Sequence, residues 1–273
     1  MSDKLPQGQF LTLKNGQKIH YHEVGEGLPI VFLHGSGQGA SGYSNFKGNA
    51  EYFAKNKYRA IMPDLLGFGY SSKKEDAIYD TDYHLAAIKE FIDTLSLNSV
   101  VLVGNSLGGA LSLHFTLRYP EYVSKLVLMA PGGIEHKEAY MAMAGIKEVY
   151  KLVHKKTQLD FEDMRKILSL QVYDPKIISK DKVKERLAIA KTQPKSVWQT
   201  MSVPYLGDLI KDIKQPILCF WGANDQFLSA NGASIMAKRC QNLRSIVLSS
   251  CGHWVMEEHR DLFNRYSMDF INE

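Results

Sequence analysis

The segment VLVGNSLGGAL, residues 101–111, constrains the fold of this chain more than any other stretch. Residues 100–103 form a short β-branched run typical of a fully buried parallel strand, and residues 110–118 have the apolar spacing of a helix. The chain must reverse sharply between them, and glycines two residues before and after the central serine keep side chains out of the crowded turn. The segment predicts a strand, a tight turn and a helix, with Ser106 exposed at the apex in a strained backbone conformation.

Strand-like and helix-like segments alternate through the first half of the chain. The dipeptide Asn15-Gly16 separates two strand-like runs and indicates a hairpin, because both turn positions favour positive φ. The short apolar runs that follow, with helical patterns such as residues 81–95 between them, are residues 30–33, 59–62, 100–103 and 126–129. Strand signals return at residues 217–221 and 245–248, before a final helix over about residues 257–271. We expect an α/β fold in which an antiparallel hairpin precedes a mostly parallel, doubly wound sheet.

A helical insertion interrupts this alternation. Residues 137–206 contain no strand-like runs, only amphipathic helical spacing rich in Met, Lys and Leu. We therefore expect a core domain of residues 1–133 and 207–273, with residues 134–206 forming a helical cap. Ligands of open α/β sheets bind at the carboxyl ends of the strands, so a mobile cap over that edge fits the pattern.

The positive charge of the chain is concentrated in the inserted region. Residues 134–215 contain sixteen Lys or Arg against eleven Asp or Glu, an excess larger than the net charge of +4 of the whole chain. Two interpretations stay open: a solvated helical surface, or an electrostatic field that favours an anionic ligand.

Two further residues complete a catalytic arrangement around Ser106. A serine hydroxyl is a weak nucleophile until a base accepts its proton, and the base needs an acid to fix its tautomer. When the serine occupies such a turn, the chain order is Ser, then Asp or Glu, then His. Asp225 in WGANDQF and His253 in SSCGHWVMEEH each follow a strand-like run, whereas the segment APGGI after residue 129 contains no carboxylate. We predict Ser106, Asp225 and His253 as a catalytic triad.

The segment HGSGQGASG, residues 34–42, follows the third strand-like run and suits an oxyanion hole. Backbone N–H groups aimed at a developing negative charge stabilise it best. We predict the N–H of Leu107, directly after the nucleophile, and the N–H of Ser36 as the two donors. A phosphate-binding glycine loop is the competing interpretation, and it fails because no Gly-Lys-Ser/Thr sequence follows.

Taken together, six motifs resemble the α/β-hydrolase superfamily and, within it, the meta-cleavage-product hydrolases. The motifs are HGSGQGASGYSNF, DLLGFGYS, GNSLGG, APGGI, WGANDQF and CGHWVMEEH. That family hydrolyses carbon–carbon bonds in vinylogous 1,5-diketones formed by ring opening of catechols. The resemblance covers nearly the whole chain, including the cap. It implies an α/β-hydrolase fold, a 2-hydroxy-6-oxohexa-2,4-dienoate type of substrate and the same triad.

The resemblance also implies which side chains contact the substrate. The positions that match the family's contacts to the dienoate carboxylate and oxo group are Asn45, Asn105, Arg186 and Trp254, to which we add Gly35 of the oxyanion loop. Phe227 and Leu228 match apolar pocket wall. Considered without the resemblance, Arg186 lies in the charged stretch KVKERLAIAK, which is typical of a solvated helix surface.

Bulk properties limit the partners and the compartment. A net charge of +4 without basic runs interleaved with aromatics argues against nucleic-acid binding. No segment is apolar enough to span a membrane, and MSDKLPQGQF lacks the apolar core of a signal peptide, so we expect a cytoplasmic protein. We expect a small, anionic substrate and neither metal nor cofactor. The family's tendency to associate favours a homodimer or larger homo-oligomer.

Three other functions compete. Haloalkane dehalogenases and epoxide hydrolases share the fold but use an aspartate nucleophile, so Ser106 argues against them. A carboxylesterase acting on small acyl or aryl esters needs the same triad without the contacts to the dienoate, and it is the alternative function. A ligand receptor with a retained triad is a third function, and nothing in the sequence favours it.

Overall fold

A single eight-stranded sheet forms the centre of the molecule. The computed structural model describes residues 8–156 and 158–273. Outside the described residues lie most of the N-terminal segment considered for a signal peptide, residues 1–7, and residue 157 of the predicted cap. The strands are β1 (Gln9–Thr12), β2 (Lys18–Val24), β3 (Leu28–Leu33), β4 (Tyr58–Pro63), β5 (Val100–Asn105), β6 (Val123–Met129), β7 (Ile217–Gly222) and β8 (Leu243–Leu248).

The strand order is β1-β2-β4-β3-β5-β6-β7-β8. Strands β1 and β2 pair antiparallel, β2 pairs antiparallel with β4, and every other neighbouring pair is parallel. Buried apolar side chains cover both faces of the sheet in two clusters. The predicted fold, an antiparallel hairpin followed by a mostly parallel, doubly wound sheet, is confirmed.

Helices cover both faces of the sheet and fill the inserted region. They are α1 (Gly42–Lys55), α2 (Thr81–Thr94), α3 (Leu107–Arg118), α4 (Lys137–Ala142), α5 (Ala144–Lys155), α6 (Phe161–Ser169), α7 (Lys180–Ala190), α8 (Lys195–Thr200), α9 (Asn231–Arg239), α10 (Val255–Glu258) and α11 (Arg260–Asn272), with short 3-10 turns at Pro120–Tyr122, Pro175–Ile177 and Ile210–Asp212. In the described part of the chain, no helix is long and apolar enough to cross a membrane.

Two predicted helices have different bounds in the structure. The helix expected over residues 110–118 already begins at Leu107, because the turn at Ser106 leads into it directly. The single helix expected over residues 257–271 is instead two helices, α10 and α11, because His259 between them leaves helical geometry, with φ −123° and ψ 47°.

The inserted helices α4–α8 leave and rejoin the sheet-bearing part of the chain at neighbouring points. Leu206 N donates to Gly133 O over 2.7 Å, so the two ends of residues 134–206 meet at one hydrogen bond. Such an insertion can move without breaking the order of the sheet. The division into core and mobile cap stays a prediction that this geometry favours.

Candidate active site

The turn between β5 and α3 holds Ser106 in the strained conformation that the sequence predicts. Its φ is 55° and its ψ is −112°, values that a residue other than glycine rarely adopts. A Cβ atom on Gly104 would lie 2.5 Å from Gly108 O, and one on Gly108 would lie 1.9 Å from Leu33 O. Glycine is therefore required on both sides of Ser106, and the half-buried serine lies at the carboxyl edge of the sheet.

Asp225 and His253 form a buried pair at the same edge. His253 Nδ1 lies 2.6 Å from Asp225 Oδ2, and neither side chain is more than 4% exposed. The other carboxylate oxygen, Oδ1, accepts the N–H groups of Phe227 (2.7 Å) and Leu228 (3.0 Å). Asp225 is thus fixed from both sides, so His253 Nδ1 carries the proton and Nε2 is left to act as a base. Ser106 and His253 line one cavity.

The loop that carries His253 is attached to the inserted helical region. The backbone N–H groups of His253 and Trp254 both donate to Gln171 O, over 2.8 and 3.2 Å. A Cβ on Gly252 would lie 2.9 Å from that same oxygen, so the two backbones are in close contact. Residue 171 follows α6, and the position of His253 therefore depends on a residue of the predicted cap.

The HGSG loop packs directly against the nucleophile. A Cβ on Gly35 would lie 3.2 Å from Ser106 Cβ, so the loop backbone approaches the serine closely. His34, fully buried, accepts Leu65 N at Nε2 (3.0 Å) and therefore donates from Nδ1 to Gly35 O (2.8 Å). Burial lowers the pKa of His34 to about 4, so the ring is neutral at pH 7. Its two hydrogen bonds fix the position of the loop.

The two predicted oxyanion donors flank Ser106. Leu107 is the first residue of α3, and an N–H in the first turn of a helix has no intrahelical acceptor. Ser36 follows Gly35 in the loop that contacts Ser106, and both Gly35 and Ser36 line the cavity. These positions suit an oxyanion hole, and their role stays a prediction.

Arg186 is one of the largest fully buried side chains, with 1% of its surface exposed. Its Nη2 donates to Asn45 Oδ1 (2.9 Å), its Nη1 lies 3.5 Å from Gln38 O, and its Nε has no partner among the described residues. The guanidinium carbon lies 5.0 Å from the Trp254 ring centre. Burial lowers the pKa of Arg186 to about 10, but the group stays charged at neutral pH. The interpretation of Arg186 as a solvated surface residue is wrong, because α7 turns it inward.

Asn105 lines the cavity and has one buried acceptor atom without a partner among the described residues. Its Nδ2 donates to Met129 O and His253 O, both at 3.3 Å, while its buried Oδ1 has no partner among the described residues. Because Met129 O and His253 O are both acceptors, the NH₂ group of the Asn105 side chain must face them, which fixes the orientation of the amide. Asn45, by contrast, uses its Oδ1 to hold Arg186.

The other residues predicted to contact the substrate line the same cavity, which has a volume of about 440 Å³. Phe227 and Leu228, each 7% exposed, form part of its wall, and the Phe227 ring centre lies 5.4 Å from that of His253. Trp254 also lines it. The structure therefore brings every predicted site residue except Asp225 and Leu107 to the lining of one cavity. Asp225 contacts His253, and Leu107 directly follows Ser106.

Several residues of this site are not among the sequence predictions. Gln38 and Gln171 contact the site through their backbone carbonyl oxygens. Every residue has such an oxygen, so the sequence does not reveal these contacts. The structural role of His34 could have been predicted, since it is the first residue of the HGSG motif. Its ring forms hydrogen bonds to Gly35 and Leu65 that fix the loop.

Comparisons with known proteins agree with this geometry. The family model described as the alpha/beta hydrolase fold matches residues 29–260. The chain is 34% identical to a 2-hydroxy-6-oxo-6-phenylhexa-2,4-dienoate hydrolase of Comamonas testosteroni, over 93% of this chain and 91% of that protein. It is 33% identical, over the same shares, to a 2-hydroxy-6-oxononadienedioate/2-hydroxy-6-oxononatrienedioate hydrolase of the same species.

Solved structures show the same architecture. A meta-cleavage product hydrolase of Pseudomonas fluorescens superposes with a TM-score of 0.85 at 28% identity, covering 97% of each chain. An esterase from Exiguobacterium antarcticum superposes with a TM-score of 0.84 at 22% identity, over 98% of this chain and all of that one. The second likeness shows the fold alone, so fold similarity does not separate carbon–carbon hydrolysis from ester hydrolysis.

Proposed function

Because the chain belongs to the α/β-hydrolase fold family, and within it to the 2-hydroxy-6-oxodienoate hydrolases, we propose that it cleaves a carbon–carbon bond in a meta-cleavage product of aromatic degradation. Ser106 is the nucleophile, His253 the general base and Asp225 the acid that orients it. The N–H groups of Ser36 and Leu107 stabilise the oxyanion. Water is the co-reactant, and the chemistry requires no cofactor.

The buried, charged Arg186 is the single observation that carries this function. Among the described residues, Glu185 and Glu257 interact with this guanidinium electrostatically, but none forms a close ion pair with it. Burying a charge without such a pair is costly, and a substrate anion compensates for that cost when it binds. Asn45 and the Trp254 ring hold the guanidinium in place. A dienoate carboxylate satisfies it with charge-assisted hydrogen bonds, whereas a neutral ester leaves it unpaired.

Asn105 supports the same substrate through a different group. Its Oδ1 accepts no hydrogen bond from the described residues, and a donor on the ligand would satisfy it. The 2-hydroxyl group of a 2-hydroxy-6-oxodienoate is such a donor, whereas a carboxylate or oxo oxygen is not. We therefore assign Asn105 to the 2-hydroxyl and Arg186 to the carboxylate, which refines the assignment implied by the resemblance.

The reaction balances with these groups. Transfer of a proton from the 2-hydroxyl to C5 gives the 2-oxo tautomer. Ser106 Oγ then attacks C6, its proton passes to His253, and the charge on the C6 oxygen meets the oxyanion donors. When the C5–C6 bond breaks, its electron pair moves through C4 and C3 to the C2 oxygen, beside Arg186, and that oxygen takes the proton. Water hydrolyses the acyl-serine to release a carboxylic acid and 2-hydroxypenta-2,4-dienoate.

The remaining expectations about the working protein belong to the same proposal. Residues 134–206 act as a cap over the cavity, the substrate is a small anion, and the protein works in the cytoplasm as a homodimer or larger homo-oligomer. Support for the cap comes from the hydrogen bond between Gly133 and Leu206 and from the contact of Gln171 with the His253 loop.

The test is product identification. Wild-type protein and a Ser106→Ala variant are incubated with 2-hydroxy-6-oxo-6-phenylhexa-2,4-dienoate, and the products are separated. The proposal predicts benzoate and 2-hydroxypenta-2,4-dienoate in equal amounts from wild type only. Hydrolysis of aryl esters without cleavage of the dienoate would leave carboxylesterase as the function.

A further inference from the structure

The charge distribution inside the cavity bears on which dienoates fit it. Among its lining residues in residues 8–156 and 158–273, Arg186 is the one Lys or Arg side chain, and no Asp or Glu lines it. Its guanidinium is fixed next to Gln38 and Asn45, on the side formed by the HGSG loop and α1. The cavity therefore offers a cationic partner to one carboxylate.

Apolar side chains from the inserted region form a large share of the remaining wall, namely Met141, Ile146, Val149, Val153, Trp198 and Met201. The polar residues that line the cavity from the same region, Tyr150, Gln171 and Gln199, carry no positive charge. Phe227 and Leu228 extend this surface from the loop after β7 and are themselves buried. Such a wall stabilises an apolar group by removing its surface from water, and it penalises a charge that must lose its hydration.

We infer that this enzyme takes dienoates whose C6 substituent is an uncharged aryl or alkyl group, in preference to those with a second carboxylate on that side. The inference rests on the proposed function, because it places the C1 carboxylate on Arg186. The named relatives do not decide the point, since one acts on a 6-phenyl substrate and another on a dioate.

The experiment compares kcat/KM for 2-hydroxy-6-oxo-6-phenylhexa-2,4-dienoate and 2-hydroxy-6-oxonona-2,4-dienedioate. Wild type should favour the phenyl substrate by at least about tenfold, because a carboxylate loses its hydration when it lies against an apolar wall. Met201→Arg, which adds a cation to this wall, should narrow the ratio, and the volume-conserving Met201→Leu should retain it. Equal kcat/KM values in wild type would overturn the inference, whereas cleavage of neither substrate would overturn the proposed function instead.

A second, independent observation concerns Glu258 at the end of α10. Its Oε1 accepts Gly252 N over 2.7 Å, and its Oε2 accepts Tyr173 N over 2.6 Å. Gly252 precedes the proposed base, and Tyr173 lies in the inserted region two residues after Gln171. One carboxylate thus joins both backbones beside the contacts of Gln171 O with His253 N and Trp254 N.

We propose that Glu258 is a positioning residue, which fixes the His253 loop against the inserted region so that His253 keeps its place beside Ser106. Both carboxylate oxygens accept from N–H donors, so a carboxamide of the same shape cannot replace the carboxylate. Its NH₂ group would face one of those two donors, and that N–H group would lose its acceptor. This proposal also depends on the catalytic role of His253.

The test compares Glu258→Gln with Glu90→Gln. Glu90 accepts the backbone N–H of Lys14 and belongs to α2, away from the cavity, so it is a matched control. Hydrolysis by wild type is measured first, because failure of the proposed function would appear there. Glu258→Gln should lower kcat by about 10- to 100-fold with a smaller change in KM, because misplacing a catalytic group slows the chemical step.

Amide hydrogen exchange supplies a readout that stability alone does not move. In folded Glu258→Gln, peptides covering residues 170–175 and 250–254 should exchange faster together while other peptides keep their rates. A folded Glu258→Gln with the kcat of Glu90→Gln would overturn the proposal. If Glu258→Gln does not fold, Glu258→Asp is measured instead, because its side chain is one methylene too short to reach both N–H donors. A wild-type kcat in that variant would also overturn the proposal.

Discussion

Replacing Arg186 with glutamine should separate dienoate cleavage from ester hydrolysis. The guanidinium is fully buried and donates from Nη2 to Asn45 Oδ1 over 2.9 Å, and its Nε has no partner in the part of the chain that the structure describes. In the complex with a dienoate, it supplies a charge-assisted hydrogen bond in a site largely shielded from water. Removing one partner of such a pair costs 2 to 5 kcal/mol in general, which corresponds to a loss of about 30-fold to several thousand-fold in kcat/KM.

The same substitution should not destabilise the free protein by a comparable amount. Wild type buries a charge whose pKa is lowered to about 10 by loss of hydration, so the unfolded chain binds that proton more tightly. Glutamine removes this cost, but its shorter side chain loses the hydrogen bond from Nη2 to Asn45 and the contact with Trp254. Because these two effects oppose each other, we expect an unfolding free energy close to that of wild type, with most of the dienoate activity lost.

The assay measures kcat/KM of Arg186→Gln on a 2-hydroxy-6-oxodienoate and on a short aryl ester, at equal ionic strength. A neutral ester presents no anion to Arg186, so its hydrolysis should change by less than about tenfold. Arg165→Gln is the control, since Arg165 is an exposed residue of α6 that pairs with Glu162. Equal, small effects on both substrates would refute the reasoning and favour a carboxylesterase.

Three further predictions follow from the site and its surroundings. Ser106→Ala should lower ester turnover by several orders of magnitude with folding intact, leaving about 10³-fold acceleration over water from the oxyanion hole, and ordinary activity would remove Ser106 from the mechanism. Asp225→Asn should cost up to about 10⁴-fold in ester hydrolysis, because the amide disturbs the tautomer of His253, and near wild-type rates on both substrates would point to another acid. Burial lowers the pKa of His34 to about 4 and that of His84 to about 3. Below about pH 6.5, the unfolded chain therefore binds more protons than the folded protein, and the free energy of unfolding falls as the pH falls. At about pH 4 the loss is about 3 kcal/mol for each histidine. Urea unfolding at several pH values checks this, and His84→Leu should flatten the profile, since neither nitrogen of His84 has a partner among the described residues.

The sequence predicts the parts of the site that depend on local geometry. The glycines around Ser106 are required by contacts within a few residues or with the adjacent strand, so their spacing is visible in the chain. Asp225 and His253 follow β7 and β8, and parallel strands bring their carboxyl ends to one edge. Chain order and strand signals therefore suffice to bring Ser106, Asp225 and His253 to one edge of the sheet, and their catalytic role stays a prediction.

The parts that depend on packing between distant segments escape sequence reasoning. The stretch KVKERLAIAK is as polar as a solvated helix, and only the packing of α7 against Asn45 and Trp254 buries Arg186. The contact between Tyr173 and Glu258 joins residues 85 positions apart through a backbone N–H, which any residue except proline supplies. The break between α10 and α11 at His259 likewise contains no glycine or proline from which it could be predicted.

Steady-state kinetics of the wild-type protein test the central claim most directly. The measurement is kcat/KM for 2-hydroxy-6-oxo-6-phenylhexa-2,4-dienoate beside kcat/KM for a short aryl ester, under the same buffer and ionic strength. Since a dienoate supplies a carboxylate for the buried charge of Arg186 and a hydroxyl donor for Asn105, and a neutral ester supplies neither, the dienoate should have the higher value. A higher value for the ester would contradict the assignment of this cavity to carbon–carbon bond hydrolysis.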